Sequence, residues 1–262
     1  MPSIIDRELR ETIMRGPRLK TEQANRHIDQ IVEMSERLPS DFYELRQTER
    51  FETGYPGGPS VFYGLEYEPS KPIPEQFALI VGEALHNFRS ALDHLASAII
   101  RTKIKEARCH FPVNESRENA VNHGDLKNME DALPGSNELF CNTIRPENDV
   151  GDHLWYFGQL NNDDKHNLII PTVTFADIKF RKISIGNQQL HDAAVGGDAS
   201  KTMRLIASSV KPSFDGEPIV SVEVSFGPDA GPFAGKPVAQ VLREVGEKVV
   251  STLDEFDNLM SR

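Results

Sequence analysis

Apolar residues recur every three or four positions over several long stretches of the chain, which is the spacing of amphipathic helices. This spacing predicts helices over about 20–38, 75–102, 149–165 and 238–260. The last of these has the most regular apolar stripe: Val238, Val241, Leu242, Val245, Val249, Leu253, Phe256 and Leu259. Such a stripe needs an apolar partner, and helix 75–102 offers one, so we expect the helices to form the core of a bundle.

Alternation of apolar and polar residues indicates strands elsewhere in the chain. The alternation is clearest over 218–226, and strand-like runs also cover 167–174, 178–185 and 203–208. Near the N-terminus, two strand-like runs flank the turn-rich sequence 54–59 and predict a β-hairpin over 42–68. The sequence therefore predicts an α+β protein in a single domain, 1–262. It combines a helical bundle of about four main helices, an antiparallel β-sheet over 167–226 and a small N-terminal β-hairpin.

Charge and composition narrow the classes of function. The chain has 40 acidic and 29 basic residues, so its formal net charge is −11. It therefore repels nucleic acids in general, and any RNA contact has to be local. No apolar run approaches the roughly 18 residues of a membrane span, and residues 1–7 lack a secretory signal pattern, so we expect a cytoplasmic protein without membrane contact. Cys109 and Cys141 lack a Cys-x-x-Cys spacing and are expected to be free thiols.

The polar side of helix 75–102 is built from unusual residues. At about 100° per residue, its polar side chains share an arc of roughly 160° opposite a continuous apolar face. The residues of this polar arc are Glu83, His86, Asn87, Arg89, Ser90, Asp93, His94 and Ser97. An ordinary solvated face contains mostly Glu, Lys and Gln, whereas this arc has no Lys and has two His, one Arg and two carboxylates. We therefore take it as the candidate functional face.

Arg89 and His94 form an Arg-x4-His motif within this arc. Residues five apart on a helix diverge by about 140°, so the two side chains flank a stripe of the helix surface. A phosphate between them could meet Arg89 as a charge clamp and His94 as a general acid or base. The motif resembles the Arg-x4–6-His motif of the HEPN superfamily. That family favours Asn, Asp or His directly after the arginine, where this chain has Ser90.

The HEPN resemblance implies a function and a mode of assembly. Many members are metal-independent ribonucleases, the motif lies on a helix of a four-helix bundle, and two copies meet across a homodimer to form the cleaving site. Carried over to this chain, Arg89 holds the scissile phosphate and His94 acts on the ribose hydroxyl or the leaving oxygen. The expected supporting residues are His86, Asn87, Asp93, Asp164 and His166. The helix, together with Asp164-Lys165-His166, is also similar to a pattern in uncharacterised bacterial proteins of this size.

Two alternatives remain open at this stage. Glu83-x-x-His86 and Asp163-x-x-His166 resemble the paired motifs with which helical bundles hold iron or manganese, so the chain could bind a divalent metal. A mononuclear site made of His86, His166 and either Asp93 or His94 is a variant of this hypothesis.

The second alternative is a non-enzymatic structural or interaction protein with a satisfied polar network. In it, Arg89 and Asp93 form an intrahelical ion pair worth a few tenths of a kcal/mol. Asp164 bridges to Arg89 from the neighbouring helix, and His166 satisfies backbone carbonyls at the end of that helix.

Overall fold

The computed structural model describes residues 5–37, 42–52, 60–71, 74–107, 109–146, 153–167, 172–198 and 201–262. Within these ranges the helices are α1 (Arg7–Glu36), α2 (Glu75–Arg101), α3 (Arg117–Val121), α4 (Gly124–Ala132), α5 (Ser136–Leu139), α6 (His153–His166) and α7 (Val238–Met260). The strands are β1 (Tyr43–Glu52), β2 (Ser60–Pro69), β3 (Thr172–Ile185), β4 (Gln188–Gly197), β5 (Met203–Ser208), β6 (Ser213–Phe214) and β7 (Ile219–Ser225). The predicted α+β class is confirmed, and three short helices accompany the four long ones.

Some predicted features fall outside the described residues. They are residue 38 of the first predicted helix, the hairpin turn 54–59, residues 149–152 of the third predicted helix, strand residues 168–171 and the side chain of His166.

Helix α1 begins at Arg7, well before the predicted start near residue 20. Asp6 caps it, because its Oδ1 accepts a hydrogen bond from the backbone N–H of Leu9 at 2.8 Å. The sequence Gly16-Pro17 reads as a helix breaker, yet the helix continues through Pro17, which is buried in the α1 packing surface. Burial of Ile13 and Met14 on the same face contributes apolar packing that offsets the backbone hydrogen bond that proline removes.

Helix α2 lies at the centre of the helical core. One face of it is almost completely buried, and α1, α6 and α7 all pack against it. The approach of α7 is close, since a Cβ atom at Gly246 would lie 2.8 Å from Cζ of Phe88. The predicted pairing of the last helix with helix 75–102 is therefore confirmed, although α7 also packs along α1.

The strands form two antiparallel sheets instead of the single sheet expected over 167–226. The predicted N-terminal hairpin is confirmed as β1 paired with β2, but β5 joins its free edge and makes a three-stranded sheet. In the other sheet, β3 is a single strand that pairs with β4, β6 and β7, so the predicted break between 174 and 178 is wrong. Strand β4 had no sequence signal because most of its side chains are exposed and show no apolar alternation.

In the part of the chain that the structure describes, none of the helices combines the length and the apolar character that a membrane crossing requires.

Candidate functional site

The polar arc of α2 divides into two flanks with an open strip between them. One flank faces the loop residues 109–113, the other faces α1, and the strip between them faces solvent. The loop-facing flank contains Arg89 and Asp93, the α1-facing flank contains Glu83, Asn87 and His94, and the open strip contains His86 and Ser90. The 140° divergence between Arg89 and His94 therefore has a structural consequence, because each residue contacts a different neighbouring element.

Arg89 and Asp93 together bind both backbone polar groups of Phe111, and we call this set the Arg89–Asp93 clamp. Nε of Arg89 donates to Oδ2 of Asp93 at 3.2 Å, and Nη2 lies 3.0 Å from Oδ1. The same Nη2 donates to the carbonyl oxygen of Phe111 at 2.9 Å, while Oδ1 of Asp93 accepts the Phe111 N–H at 2.8 Å. The ion pair expected from the i, i+4 spacing is thus confirmed. Within the described part of the chain, Nη1 of Arg89 has no hydrogen-bond partner.

Further hydrogen bonds attach residue 107 and the loop residues 109–113 to α2. Ser97 donates from its hydroxyl to the carbonyl oxygen of Cys109 at 3.0 Å, and Arg101 donates from Nε to the carbonyl oxygen of Ala107 at 3.3 Å. Nδ1 of His110 lies 3.4 Å from Oδ2 of Asp93, and the His110 side chain is 74% exposed. This flank therefore fixes a loop to the helix along three turns, which is a structural role whatever else Arg89 does.

The other flank forms a polar contact line with α1, which we call the α1–α2 seam. It consists of Gly16, Lys20 and His27 on α1 and of Glu83, Asn87 and His94 on α2. Nζ of Lys20 donates to Oδ1 of Asn87 at 3.2 Å, and Nδ2 of Asn87 donates to the carbonyl oxygen of Glu83 at 2.8 Å. Nε2 of His27 lies 3.8 Å from Oε2 of Glu83. The two helices run antiparallel, and the contacts follow one another along α2 in the order His27–Glu83, Lys20–Asn87 and Gly16–His94.

His94 lies exposed at the end of the α1–α2 seam. Its ring packs over Gly16, where a Cβ atom would lie 3.2 Å from Nδ1 of His94. Among the described residues, the ring forms no hydrogen bond or ion pair. On the open strip beside it, Nε2 of His86 lies 3.4 Å from Oγ of Ser90. An imidazole, a hydroxyl and a second imidazole therefore follow one another along the solvent-facing side of α2.

The remaining expected site residues lie between Asp163 and His166 on α6. This segment adjoins α2 at a different helical turn from the one that contains Arg89. Asp164 packs over Gly82, where a Cβ atom would lie 2.9 Å from Cγ of the carboxylate. Gly82 and Arg89 are two helical turns apart, which is about 10 Å along the axis. Asp164 therefore lies beside Gly82, and Arg89 directs its hydrogen bonds to Asp93 and Phe111 instead of to Asp164. Asp163 is exposed.

The described side chains offer no cluster of three or more His, Cys, Asp or Glu residues suited to a metal ion. Glu83 turns toward His27, away from the expected partnership with His86. The structure does not describe the side chain of His166. The metal hypothesis built on Glu83, His86, Asp163 and His166 therefore stays a prediction. Two larger surface grooves, of about 410 and 530 Å³, are lined by α1, α7 and neighbouring strands and contain none of the expected site residues.

Comparison with protein-family models, with curated proteins and with solved structures yields no match to this chain. The candidate site therefore consists of the polar arc of α2 and of the residues that the fold brings to it. Three of these had no sequence signal, namely Gly16, Lys20 and Phe111. Gly16 and Phe111 contribute backbone atoms and no polar side chain. Lys20 is one of many charged residues in its helix, and its sequence context is that of an exposed lysine.

Proposed function

We propose that this protein binds and cleaves RNA in the HEPN-like manner, without a metal ion, and that Arg89 and His94 are the central residues of its site. The observation that carries the proposal is the state of His94. Its imidazole is exposed and makes no hydrogen bond with any other described residue, although it lies at the end of the α1–α2 seam. A histidine that only stabilised the bundle would gain from a partner, whereas a general base has to keep a ring nitrogen open.

The chemistry requires a phosphate contact and a proton acceptor. In the proposed reaction, His94 accepts the proton of a ribose 2′-hydroxyl, and the 2′-oxygen attacks the adjacent phosphorus. The bond from phosphorus to the 5′-oxygen then breaks, the leaving oxygen takes a proton from solvent, and a cyclic phosphate remains. Arg89 stabilises the charge on the phosphate through Nη1, the edge of its guanidinium that the Arg89–Asp93 clamp leaves open.

The proposal includes a homodimer, because Arg89 and His94 diverge on a single helix. Two copies of α2 facing each other across a twofold axis would place the arginine of one copy near the histidine of the other. Sedimentation of the purified protein measures the oligomeric state. Mixing the variants Arg89→Lys and His94→Ala should restore part of the activity that each has lost if each site combines residues of both copies. If the protein sediments only as a monomer, the homodimer that the proposal includes is wrong.

The main experiment measures cleavage of a labelled single-stranded RNA by the full chain in excess EDTA. We expect cleavage by the wild type, a loss of roughly 100-fold or more in His94→Ala, and full activity in His191→Ala. His191 is the matched control because it is an exposed histidine on β4, away from α2. For Arg89, the Lys variant retains the charge and is preferred to Ala, which breaks the Arg89–Asp93 clamp.

Three outcomes would count against the proposal. Cleavage that appears only when Mn²⁺ or Mg²⁺ is added favours the metal hypothesis built on Glu83 and His86. Equal losses in His94→Ala and His191→Ala indicate that His94 has no special role. Absence of both cleavage and RNA binding in the wild type overturns the function as a whole.

A further inference from the structure

The ammonium group of Lys20 has an unusual environment for a chain of this charge. Its only described partner is a neutral one, Oδ1 of Asn87 at 3.2 Å, and no carboxylate of the described residues pairs with it. The nearest carboxylate in the α1–α2 seam, that of Glu83, turns toward His27. Lysine has three donors and Asn87 occupies one, so two donors of Lys20 have no partner among the described residues. In a protein with 40 acidic residues, an unneutralised cation held in place by an amide is suited to an external anion.

Asn87 fixes the position of that cation. It is only 5% exposed, and both ends of its amide are used, because Nδ2 donates to the carbonyl oxygen of Glu83 at 2.8 Å. A carbonyl can only accept, so this bond determines which way the amide points and directs Oδ1 at Lys20. Burying an amide costs free energy unless it is hydrogen-bonded, and here the bonds that satisfy it also orient Lys20. Asn87 is therefore a positioning residue for Lys20.

The arc of α1 that borders the seam carries basic side chains. Between residues 12 and 30 it includes Lys20 and Arg26 and contains no carboxylate, and the one carboxylate of the seam is that of Glu83 on α2, beside His27. This basic arc lies on a molecule whose net charge is −11. Lys20 contacts α2 at Asn87, which precedes His94 by two turns, or about 10 Å along the helix axis. On α1, His94 contacts Gly16, one helical turn before Lys20, so the two side chains border the seam at successive contact points and not at one.

We propose that Lys20, held by Asn87, binds a second phosphate of the ligand, and that the ligand is consequently a single strand lying along the α1–α2 seam rather than a mononucleotide. This inference rests on the proposed function, since it assigns the substrate class of the same site. The strand crosses His94 with its scissile phosphate and reaches Lys20 with a neighbouring one. Binding therefore includes an electrostatic contact that takes no part in the cleavage chemistry.

The test measures binding of a 2′-O-methyl RNA 12-mer, which lacks the hydroxyl needed for cleavage, by fluorescence anisotropy at several KCl concentrations. We expect Lys20→Met to raise Kd roughly tenfold at moderate salt and to reduce the slope of log Kd against log [KCl] by roughly 0.7, the value of one lost phosphate contact on a single strand. Lys20→Arg should restore most of the affinity and the slope. Lys127→Met, which removes an exposed lysine of α4, is the matched control and should behave like the wild type.

Asn87→Ala separates positioning from charge. It leaves the Lys20 charge in the protein but releases it, so we expect a higher Kd with an almost unchanged salt slope. Unchanged Kd and slope in Lys20→Met, in a protein that still binds and cleaves RNA, overturn this inference and leave the proposed function standing. Equal affinity for uridine monophosphate and for the 12-mer overturns the assignment of a strand. If the wild type binds neither, both this inference and the proposed function fail.

Discussion

Nη2 of Arg89 and the backbone carbonyl oxygen of Phe111 are joined by a 2.9 Å hydrogen bond across 22 residues of sequence. Phe111 is 1% exposed and packs against the rings of Phe140 and Phe256. Through this one bond, the arginine at the centre of the candidate site also anchors a loop to the core. Arg89 therefore has a structural role in addition to the one proposed for it, and any loss of activity in its variants has to be compared with their stability.

The structural role of Arg89 gives the first prediction. Arg89→Ala removes the hydrogen bonds to Asp93 and Phe111 and leaves the Asp93 carboxylate, which is 23% exposed, without its cation. We expect the free energy of unfolding to fall by about 1–3 kcal/mol. Urea unfolding followed by tryptophan fluorescence measures the change. The control is Arg7→Ala, which breaks an exposed i, i+4 pair with Glu11 and should cost under about 0.5 kcal/mol. Equal effects of the two substitutions would contradict the clamp.

Sequence periodicity predicts the contents of the polar arc because the geometry within one helix is fixed. The Arg89–Asp93 pair follows from the same rule, since residues four apart always face each other. The contacts that give the arc its two flanks join residues far apart in the chain. Lys20 and Asn87 are separated by 67 residues, and Arg89 meets a backbone carbonyl, which has no residue type to recognise. No local pattern contains that information.

The elements of the fold divide in the same way. Some are predicted by their local sequence, and others depend on tertiary contacts. Helix α7 and the alternating strand β7 have one buried face each, so their sequences reveal them. The start of α1 is hidden by Gly16-Pro17, which breaks isolated helices but is tolerated here because the helix packs on α2. Strand β5 pairs with β2 although the two are far apart in the chain, and nothing within Met203–Ser208 specifies which sheet it joins.

The close approach of α7 to α2 gives a second prediction, tested by a pair of helical glycines. At Gly246 a Cβ atom would lie 2.8 Å from Cζ of the fully buried Phe88, and at Gly158 the nearest atom, Cγ1 of Val113, would be 3.6 Å away. Gly158→Ala should therefore stabilise the protein by about 0.5–1 kcal/mol through helix propensity. Gly246→Ala should destabilise it, because overpacking costs about 1–3 kcal/mol and exceeds that gain. Thermal unfolding of both variants measures the sign of the change in Tm. An increase in Tm for Gly246→Ala would contradict the close packing of α7 on Phe88.

Asp257 gives a third prediction, because it joins α7 to α1 through two arginines. Its Oδ1 lies 3.0 Å from Nε of Arg10, its Oδ2 lies 2.7 Å from Nη2 of Arg18, and its side chain is 17% exposed. Asp257→Asn keeps the shape and removes the charge, so we expect a loss of about 1 kcal/mol in unfolding free energy that shrinks as salt is raised. Asp254→Asn, at an exposed position of the same helix, is the matched control with an expected change near zero. A salt-independent loss at Asp257 would argue against the ion pairs.

Cys109 gives a fourth prediction, which concerns the dependence of the unfolding free energy on pH. Burial, and after it the carboxylate of Asp125, raises the pKa of the Cys109 thiol above its usual value. Its contribution to stability is therefore fully present below the unfolded thiol pKa, about 8.5, and is lost as the pH rises through the folded pKa. In a Cys141→Ser background, the substitution Cys109→Ala should flatten the fall of unfolding free energy at alkaline pH. Because the thiolate is the reactive form, iodoacetamide at about pH 8 should modify Cys109 roughly tenfold more slowly in the folded chain than in concentrated urea. Equal rates in the two states, or parallel stability curves with and without the Cys109→Ala substitution, would show that the thiol is neither shielded nor linked to folding.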